Sequence, residues 1–498
     1  MSTYLEAIGR LREDLVQANY FVDPVLEAIS DQGQLGLERN HTVAATRALA
    51  GREDGLATLI RLFVLQQSQD SEVVNTVLKA NELVDLGILA CEGNQYKALV
   101  DIRPYADETD GTSGWVVSDH TATLDTKQGR TASNHVLGIS PASVSLAGIT
   151  PRRPVGHALD LGTGCGIQSL HLARQADHVT ATDLNPRALT LATLTFALNE
   201  LEVTTRLGSL YDPVHQESFD LITTNPPFVI SPTIGPRLTY RETDYPCDDL
   251  MKTVVQGASP RLNTNGTLHV IGNWAHIEGR SWQERITEWI PQGCDAFIVQ
   301  REVLDIYEYI EIWLADAGLR GQLTYLENYE QWLNYFDELK IEAVGMGWIT
   351  MIKSGSPTPR VICEHWPHPS GTNLADDLMA HLTVMDYQSW SQEKILEKPW
   401  VLAPGTVQET IGNPGEEDPT HIILRRRDGL YRATQVSTAL GAILGACDGD
   451  LGLGQIIHAV ASILDTDPAR MITEVLPEIT SLISQTWLKP GVEDSQPL

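Results

Sequence analysis

Through the first hundred residues apolar positions recur at helical spacing, first Leu56, Leu59, Ile60 and Phe63, then Val73, Val74, Val77, Leu78, Leu83 and Leu86. That period of 3.6 puts one apolar face on each helix. After Gly87-Ile88-Leu89 and a turn at Gly93-Asn94, the run Tyr96–Ile102 reads as a strand. Helices followed by such a strand predict an α-rich, winged-helix-like domain over residues 1–105. Residues 106–150 read as a connecting region rich in Gly, Ser, Thr and Asp, with the apolar stretch His135–Ile139 near its end.

From 151 to 355 the pattern changes to short β-rich runs alternating with helical stretches, the signature of a βαβ series. The predicted strands are Ala158–Leu161, His178–Thr182, Val203–Leu207, Phe219–Thr224, Thr267–Ile271, Ala296–Gln300 and Trp348–Ile352. The expected fold class is therefore α/β, with seven strands in a mostly parallel, Rossmann-like sheet. Breaks at Ser356-Pro357-Thr358-Pro359, Ala403-Pro404-Gly405 and Asn413-Pro414-Gly415 precede renewed helical spacing through Ile456, Ile457, Val460, Ile463 and Leu464. These predict a smaller α+β or winged module over 356–490 and a disordered tail over 491–498.

Composition narrows the classes. A chain of 498 residues exceeds a single ordinary core, and 42% hydrophobic with 20% charged residues reads as globular. No stretch approaches the roughly eighteen apolar residues of a membrane span. The opening Met1–Glu6 has no basic region leading into an apolar one, so a cytoplasmic location is expected. Six widely spaced cysteines form no C-x-x-C pair, so reduced thiols and no metal are expected. A formal charge of -30 disfavours binding to phosphate backbones, which depends on Lys and Arg displacing counterions. The run Arg425-Arg426-Arg427 is one candidate for a local basic patch, its bland reading being a solvated turn.

Two motifs carry chemistry. In Ala158-Leu159-Asp160-Leu161-Gly162-Thr163-Gly164-Cys165-Gly166-Ile167 a strand runs into a glycine-rich turn and then a helix, a form that lets backbone approach a ligand and offers amide donors. The dinucleotide pattern G-x-G-x-x-G would need glycine at 167, where Ile167 stands. At the end of the next strand, Asp183 can accept hydrogen bonds from two ribose hydroxyls, its bland alternative being a helix cap. Asn185 and Pro186 then suit a helix start.

The second motif is Asn225-Pro226-Pro227-Phe228, placed where a predicted strand reaches the sheet edge at which α/β folds bind ligands. A planar amino group delocalises its lone pair and attacks a methyl donor poorly. The Asn225 side-chain oxygen and the Pro226 carbonyl can accept its two N–H hydrogens and stabilise the positive charge that develops. Pro226 and Pro227 stiffen the loop, and Phe228 offers a stacking face. Downstream, Tyr240-Arg241-Glu242 could line the approach, Trp274 reads as core, and His135–Ser143 could fold over the cofactor side.

With these residues in place, the stretch from about His135 to Trp274 resembles the class I, small-domain methyltransferases, which include release-factor glutamine methyltransferases and ribosomal RNA guanine-N2 methyltransferases; the whole layout is similar to long actinobacterial members. The resemblance implies S-adenosylmethionine as cofactor. It implies contacts from Asp160, Gly162, Thr163, Gly164, Gly166, Asp183, Leu184, Ser209, Leu210 and Asn225, with Ser209 standing where many relatives carry the acid that meets adenine. It implies a macromolecular acceptor. Release-factor enzymes usually close the motif with Tyr and ribosomal enzymes with Phe, as here, whereas the acidic composition points away from RNA. The expected reaction is methylation of a planar amide nitrogen, a glutamine in a protein such as a release factor. The alternatives are a nucleic-acid base nitrogen (guanine N2 or adenine N6), and a winged-helix protein that only senses the cofactor.

Overall fold

In the computed structural model the described residues are 2–121, 124–126, 132–232, 241–242, 244–415 and 419–491. They divide into two compact units, one comprising 1–147, 153–291 and 302–349, the other 148–152, 292–301 and 350–498. Tyr240 and residues 492–498, on which two of the expectations fall, lie outside the described residues.

The first unit opens with helices Ser2–Gln17 and Val22–Glu38 and shorter helices through Ala80–Asp85. Strands Leu89–Glu92 and Gln95–Ala98 then form a hairpin about Gly93-Asn94, with Gln69–Asp70 as a third strand. The single strand expected over Tyr96–Ile102 is in fact two, because Asp101–Asp107 belongs to a separate hairpin with Thr112–Ser118. Periodicity hid the break: Ala98, Val100 and Ile102 are apolar and buried with Leu99 exposed and polar Asp101 between them, and the burial of Asp101 that breaks the alternation does not show in the sequence.

That second hairpin is tied to the helix Pro186–Leu198. The Asn199 side chain accepts from Trp115 N–H at 3.0 Å and donates to Trp115 C=O at 2.7 Å, and the Thr195 hydroxyl accepts from Val117 N–H at 2.9 Å. Gly114 is required there, since a Cβ would come within 1.9 Å of the Asn199 amide oxygen. One apolar core joins Leu11, Leu15, Phe63 and Trp115 to Ile167, Leu170, Leu191 and Leu198.

The central sheet comprises β1 (Val155–Leu161), β2 (Ala176–Asp183), β3 (Val203–Leu207), β4 (Phe219–Thr224), β5 (Leu262–Ile277), β6 (Asp295–Asp305), β7 (Ile341–Ile352) and β8 (Val361–His365). The strand order is β8-β6-β7-β5-β4-β1-β2-β3. Within the first unit β3, β2, β1, β4 and β5 pair in parallel. The crossover between β1 and β4, where the order reverses, is the place at which such sheets bind ligands. Eight strands stand where seven were expected. The extra one, β8, lies past the Ser356–Pro359 break and reads Val-Ile-Cys-Glu-His, half-buried for most of its length, without the apolar run of a central strand. The helices that position the site are α1 (Ile167–Leu172), α2 (Pro186–Leu198), α3 (Asp249–Ala258), α4 (Ile306–Asp316) and α5 (Tyr325–Leu339).

The second unit adds the pair β6 and β8, which run parallel, and two three-stranded antiparallel sheets. One is Asp448–Gly452, Pro399–Leu402 and Leu488–Pro490, the other Thr406–Ile411, His421–Arg426 and Ala433–Val436. Trp400, Trp487, Ile443, Ile457 and Ile479 form its core. The basic run closes a strand rather than forming a turn: Arg426 is buried against Asp377 at 3.0 Å and Asp428 at 2.9 Å, while Arg425 and Arg427 are exposed as a solvated run would be, Arg425 pairing with Glu409 at 3.1 Å. Among the described residues no helix is long and apolar enough to cross a membrane.

A buried histidine makes this unit acid-sensitive. His381 Nδ1 meets the Asp377 carbonyl at 2.8 Å and must carry the proton, so Nε2 accepts from Arg432 at 2.9 Å. Burial, and then the Arg432 cation, push its pKa down to about 4. In the unfolded chain the ring takes a proton near 6.5. Between those values the unfolded state binds more protons, so stability falls as pH drops from about 6.5 to 4, by up to ~1.4 kcal/mol per pH unit from this group. Urea melts between pH 7 and 4.5 should show that limb, and His381→Gln should flatten it; an unchanged limb would refute the assignment.

Candidate active site

The turn after β1 is built from glycines in left-handed backbone, with φ of 75° at Gly162, 56° at Gly164 and 87° at Gly166. Gly162 N–H and Thr163 N–H donate to the Thr182 carbonyl at 2.9 and 2.8 Å, which lays the turn across the end of β2. A Cβ on Gly162 or Gly164 would meet nothing within 4 Å, whereas one on Gly166 would lie 2.7 Å from the Phe196 ring of α2. Gly166→Ala should therefore lower stability by about 1–3 kcal/mol through strain and overlap. Thermal melting checks this, and a midpoint unchanged from wild type would contradict the close approach.

Asp160 is inside the protein rather than on the cavity. One of its oxygens accepts from the Thr163 hydroxyl at 2.6 Å, the Ser169 hydroxyl at 2.7 Å and Ser169 N–H at 3.0 Å. It bolts the start of α1 to the glycine turn. Burial pushes its pKa up to about 6, opposed by the Thr163 and Ser169 hydrogen bonds and reinforced by the charge of Asp183.

Asp183, at the end of β2, accepts from Gly164 N–H at 2.9 Å and Asn185 N–H at 2.8 Å. Burial raises its pKa while the Asn185, Gly164 and Leu184 amides pull it back. Asn185 caps α2, its side-chain oxygen accepting from Arg187 N–H at 3.0 Å, with Pro186 first in the helix.

These elements enclose a cavity of about 440 Å³. Gly162, Thr163, Gly164, Asp183, Leu184, Ser209, Leu210, Asn225, Pro226 and Pro227 all line it, and Asp160, Gly166 and Phe228 do not. Leu184 is 60% exposed, an apolar face on the rim suited to a flat ring. The Asn225 side-chain oxygen is buried and has no hydrogen-bond partner among the described residues, a costly state that a donor entering the cavity would relieve. Among the described residues the lining includes the carboxylates of Asp183, Glu242 and Asp244 and no Lys or Arg, a field that favours a cationic ligand.

Phe228 turns the other way, packing edge-on to Trp313 of α4 with ring centroids 6.4 Å apart. The aromatic ring that does line the cavity is Tyr245, accompanied by Leu250 and Gln168, which no motif marked, and by Ser143 at the end of the stretch expected on the cofactor side. His135 to Gly138 line it as well, and Glu242 does so, while Arg241 is buried against Asp316 at 2.8 Å. Trp274 is core, stacked on Trp282. Of the His/carboxylate groups, Asp107, Asp110 and His171 lie close together but apart from the cavity, and both His171 ring nitrogens already meet Asp110 and Tyr105. The six cysteines are free.

Comparison with known proteins agrees with this geometry. The methyltransferase small domain family matches residues 138–281, and a domain of unknown function (DUF7059) matches residues 17–99. Ribosomal RNA small subunit methyltransferase C of Erwinia tasmaniensis is 32% identical over 120 residues, 24% of this chain and 31% of that protein. Release factor glutamine methyltransferase of Geobacter sulfurreducens is 32% identical over 125 residues, 22% of this chain and 43% of that protein. The chain thus matches 31% and 43% of the length of these two curated relatives. A solved T. thermophilus 16S rRNA N2 G1207 methyltransferase, in complex with AdoMet and guanosine, aligns at 17% identity over 45% of this chain and 58% of that one, with a TM-score of 0.26. The glycine turn, Asp183 and Asn225 all fall within the segment 138–281 that matches the methyltransferase small domain family.

Proposed function

We propose that this protein methylates a planar amide nitrogen, a glutamine side chain in a protein, with S-adenosylmethionine as donor. The observation that carries the reading is the buried, unpartnered Asn225 oxygen on the wall of a cavity shared with the glycine turn. S-adenosylmethionine would supply a methyl group on a positively charged sulfur. Asp183 would accept from the ribose hydroxyls, Leu184 and Leu210 would contact the base with Ser209 beside it, and the backbone of the Gly162–Gly164 turn, whose amides already bond Thr182 and Asp183, would pass close to the amino-acid end. Asp160, Thr163 and Gly166 act by holding that turn in shape. The Asn225 oxygen and the Pro226 carbonyl would accept the two N–H hydrogens of the incoming nitrogen, restoring its lone pair and stabilising charge as the bond forms. The alkylated nitrogen is acidic enough to lose its proton to water, so no dedicated base is required. Tyr245 takes the stacking role expected of Phe228.

A protein acceptor is favoured over nucleic acid by the carboxylates on the cavity, whose described lining includes no Lys or Arg. A base nitrogen is the second reading, supported by the ribosomal RNA relatives. The antiparallel three-stranded sheet that follows short helices supports a winged unit over 1–105, with 356–490 a second module, both serving to dock the acceptor.

The test is transfer of a labelled methyl group into a lysate lacking the endogenous enzyme. Label removed by protease and resistant to nuclease is the expected outcome. Label removed only by nuclease transfers the assignment to a base nitrogen, and uptake of cofactor without any transfer leaves a sensor.

A further inference from the structure

The stretch His135–Gly138 lines the cavity yet belongs to no helix or strand, so its position depends on where its backbone groups bond. Val136 N–H donates to the Asp119 carboxylate at 2.8 Å, and the Val136 carbonyl accepts from Asp119 N–H at 3.1 Å. The Asn134 carbonyl accepts from the Asn185 side-chain amide at 2.8 Å. Asp119 also receives Arg187, whose Nε reaches its two oxygens at 2.9 and 3.0 Å and whose Nη2 donates to one of them. The Asp119 side chain is only 12% exposed and Arg187 37%, so the acid is largely shielded while the guanidinium keeps one side to solvent.

Asn185 and Arg187 are the cap and first turn of α2, the helix that begins just after Asp183. One short segment therefore carries the acid facing the ribose and the two side chains that fasten the adjoining wall. The hairpin strand Thr112–Ser118 ends immediately before Asp119 and is itself held to α2 through Thr195 and Asn199. Asp119 thus projects from a braced element, and Val136 is bound to it by both backbone groups.

We infer that Asp119 and Arg187 are a positioning pair for cofactor binding: they touch no ligand, and they keep His135–Gly138 in place as a wall of the site. The inference rests on the reading of the cavity as the cofactor site. Without the pair the wall samples other arrangements, and if it is competent a tenth of the time the apparent affinity falls about tenfold.

The experiment is calorimetric titration of S-adenosylmethionine into the full chain, for wild type, Asp119→Ala, Asp119→Asn, Arg187→Gln, Arg187→Lys and the double variant Asp119→Ala with Arg187→Gln. Asp119→Ala and Arg187→Gln are each expected to raise Kd about tenfold, and the double variant to be no weaker than the worse single, since both remove one shared interaction. Arg187→Lys keeps the charge and should recover most of the loss, a rescue that a merely structural role would not predict. In turnover the effect should fall on KM for the cofactor rather than on kcat. Asp119→Asn keeps an acceptor for Val136 at nearly the same volume, so it reports on the ion pair if the alanine variant does not fold. Normal uptake by wild type with all variants within twofold, or multiplicative effects in the double variant, overturns the positioning role alone. Wild-type protein that takes up no S-adenosylmethionine overturns the reading of the cavity, and this role with it.

Discussion

Asn225→Ala is expected to lower kcat by roughly 10²–10³-fold, the usual cost of removing one preorganised group that meets charge developing in the transition state. Cofactor affinity should change by no more than a few-fold, because Asp183 and the glycine turn are untouched. The Asn225 oxygen is buried without a partner among the described residues. Its removal therefore relieves an unsatisfied acceptor, and the variant should melt no lower than wild type. That combination, lost turnover with stability retained, distinguishes a catalytic acceptor from a structural asparagine. Steady-state kinetics beside a thermal melt decides it, and near-normal turnover by Asn225→Ala would sink the proposed mechanism. Asn225→Asp is a useful companion, since it keeps the oxygen and adds charge; if the oxygen is what matters, part of the activity should survive.

The second large effect is expected at Asp183. Asp183→Ala removes the acceptor for Gly164 N–H and Asn185 N–H, and with it the proposed contact to the ribose hydroxyls. Hydrogen bonds to a charged group are worth about 1.5–3 kcal/mol each, so Kd for S-adenosylmethionine should rise at least ~100-fold. Equilibrium titration measures this without any acceptor present. A rise below about fivefold would mean that the ribose lies elsewhere. Asp160→Asn should behave differently, weakening the turn through Thr163 and Ser169 without removing a ligand contact, so that melting temperature and affinity decline together.

The parts of the site legible in the sequence are those that local geometry dictates. Three glycines with positive φ, an acid at the end of each of two adjacent strands, and a cap residue before a helix each leave a mark within a few residues. Asn225 was readable because two prolines and a preceding strand give it a fixed place. Phe228 was not: which way its ring turns depends on Trp313, contributed from α4, and no local spacing encodes that. Tyr245 had no signal at all, since its place on the cavity wall with Asn225 is marked by no local spacing. Asp119 and Arg187 stand 68 residues apart, and a contact at such separation needs the fold to be known first. Charge runs mislead for a related reason. Three consecutive arginines suggest solvent, but in a strand the middle side chain points to the opposite face from its neighbours, and here that face is the interior.

The hairpin Asp101–Ser118 has a bearing on how the protein comes apart. Its side-chain bonds to Thr195 and Asn199, and the single core that unites Leu11, Phe63 and Trp115 with Ile167 and Leu191, leave no interior seam between the opening helices and the cofactor turn. Amide protons in Leu11–Leu15 and in α2 should exchange together, as one cooperative opening. Shortening the chain to begin at 106 would bisect the hairpin and bare the apolar face of α2, so the opening helices behave as part of the cofactor-binding body and cannot be exchanged as a detachable appendage.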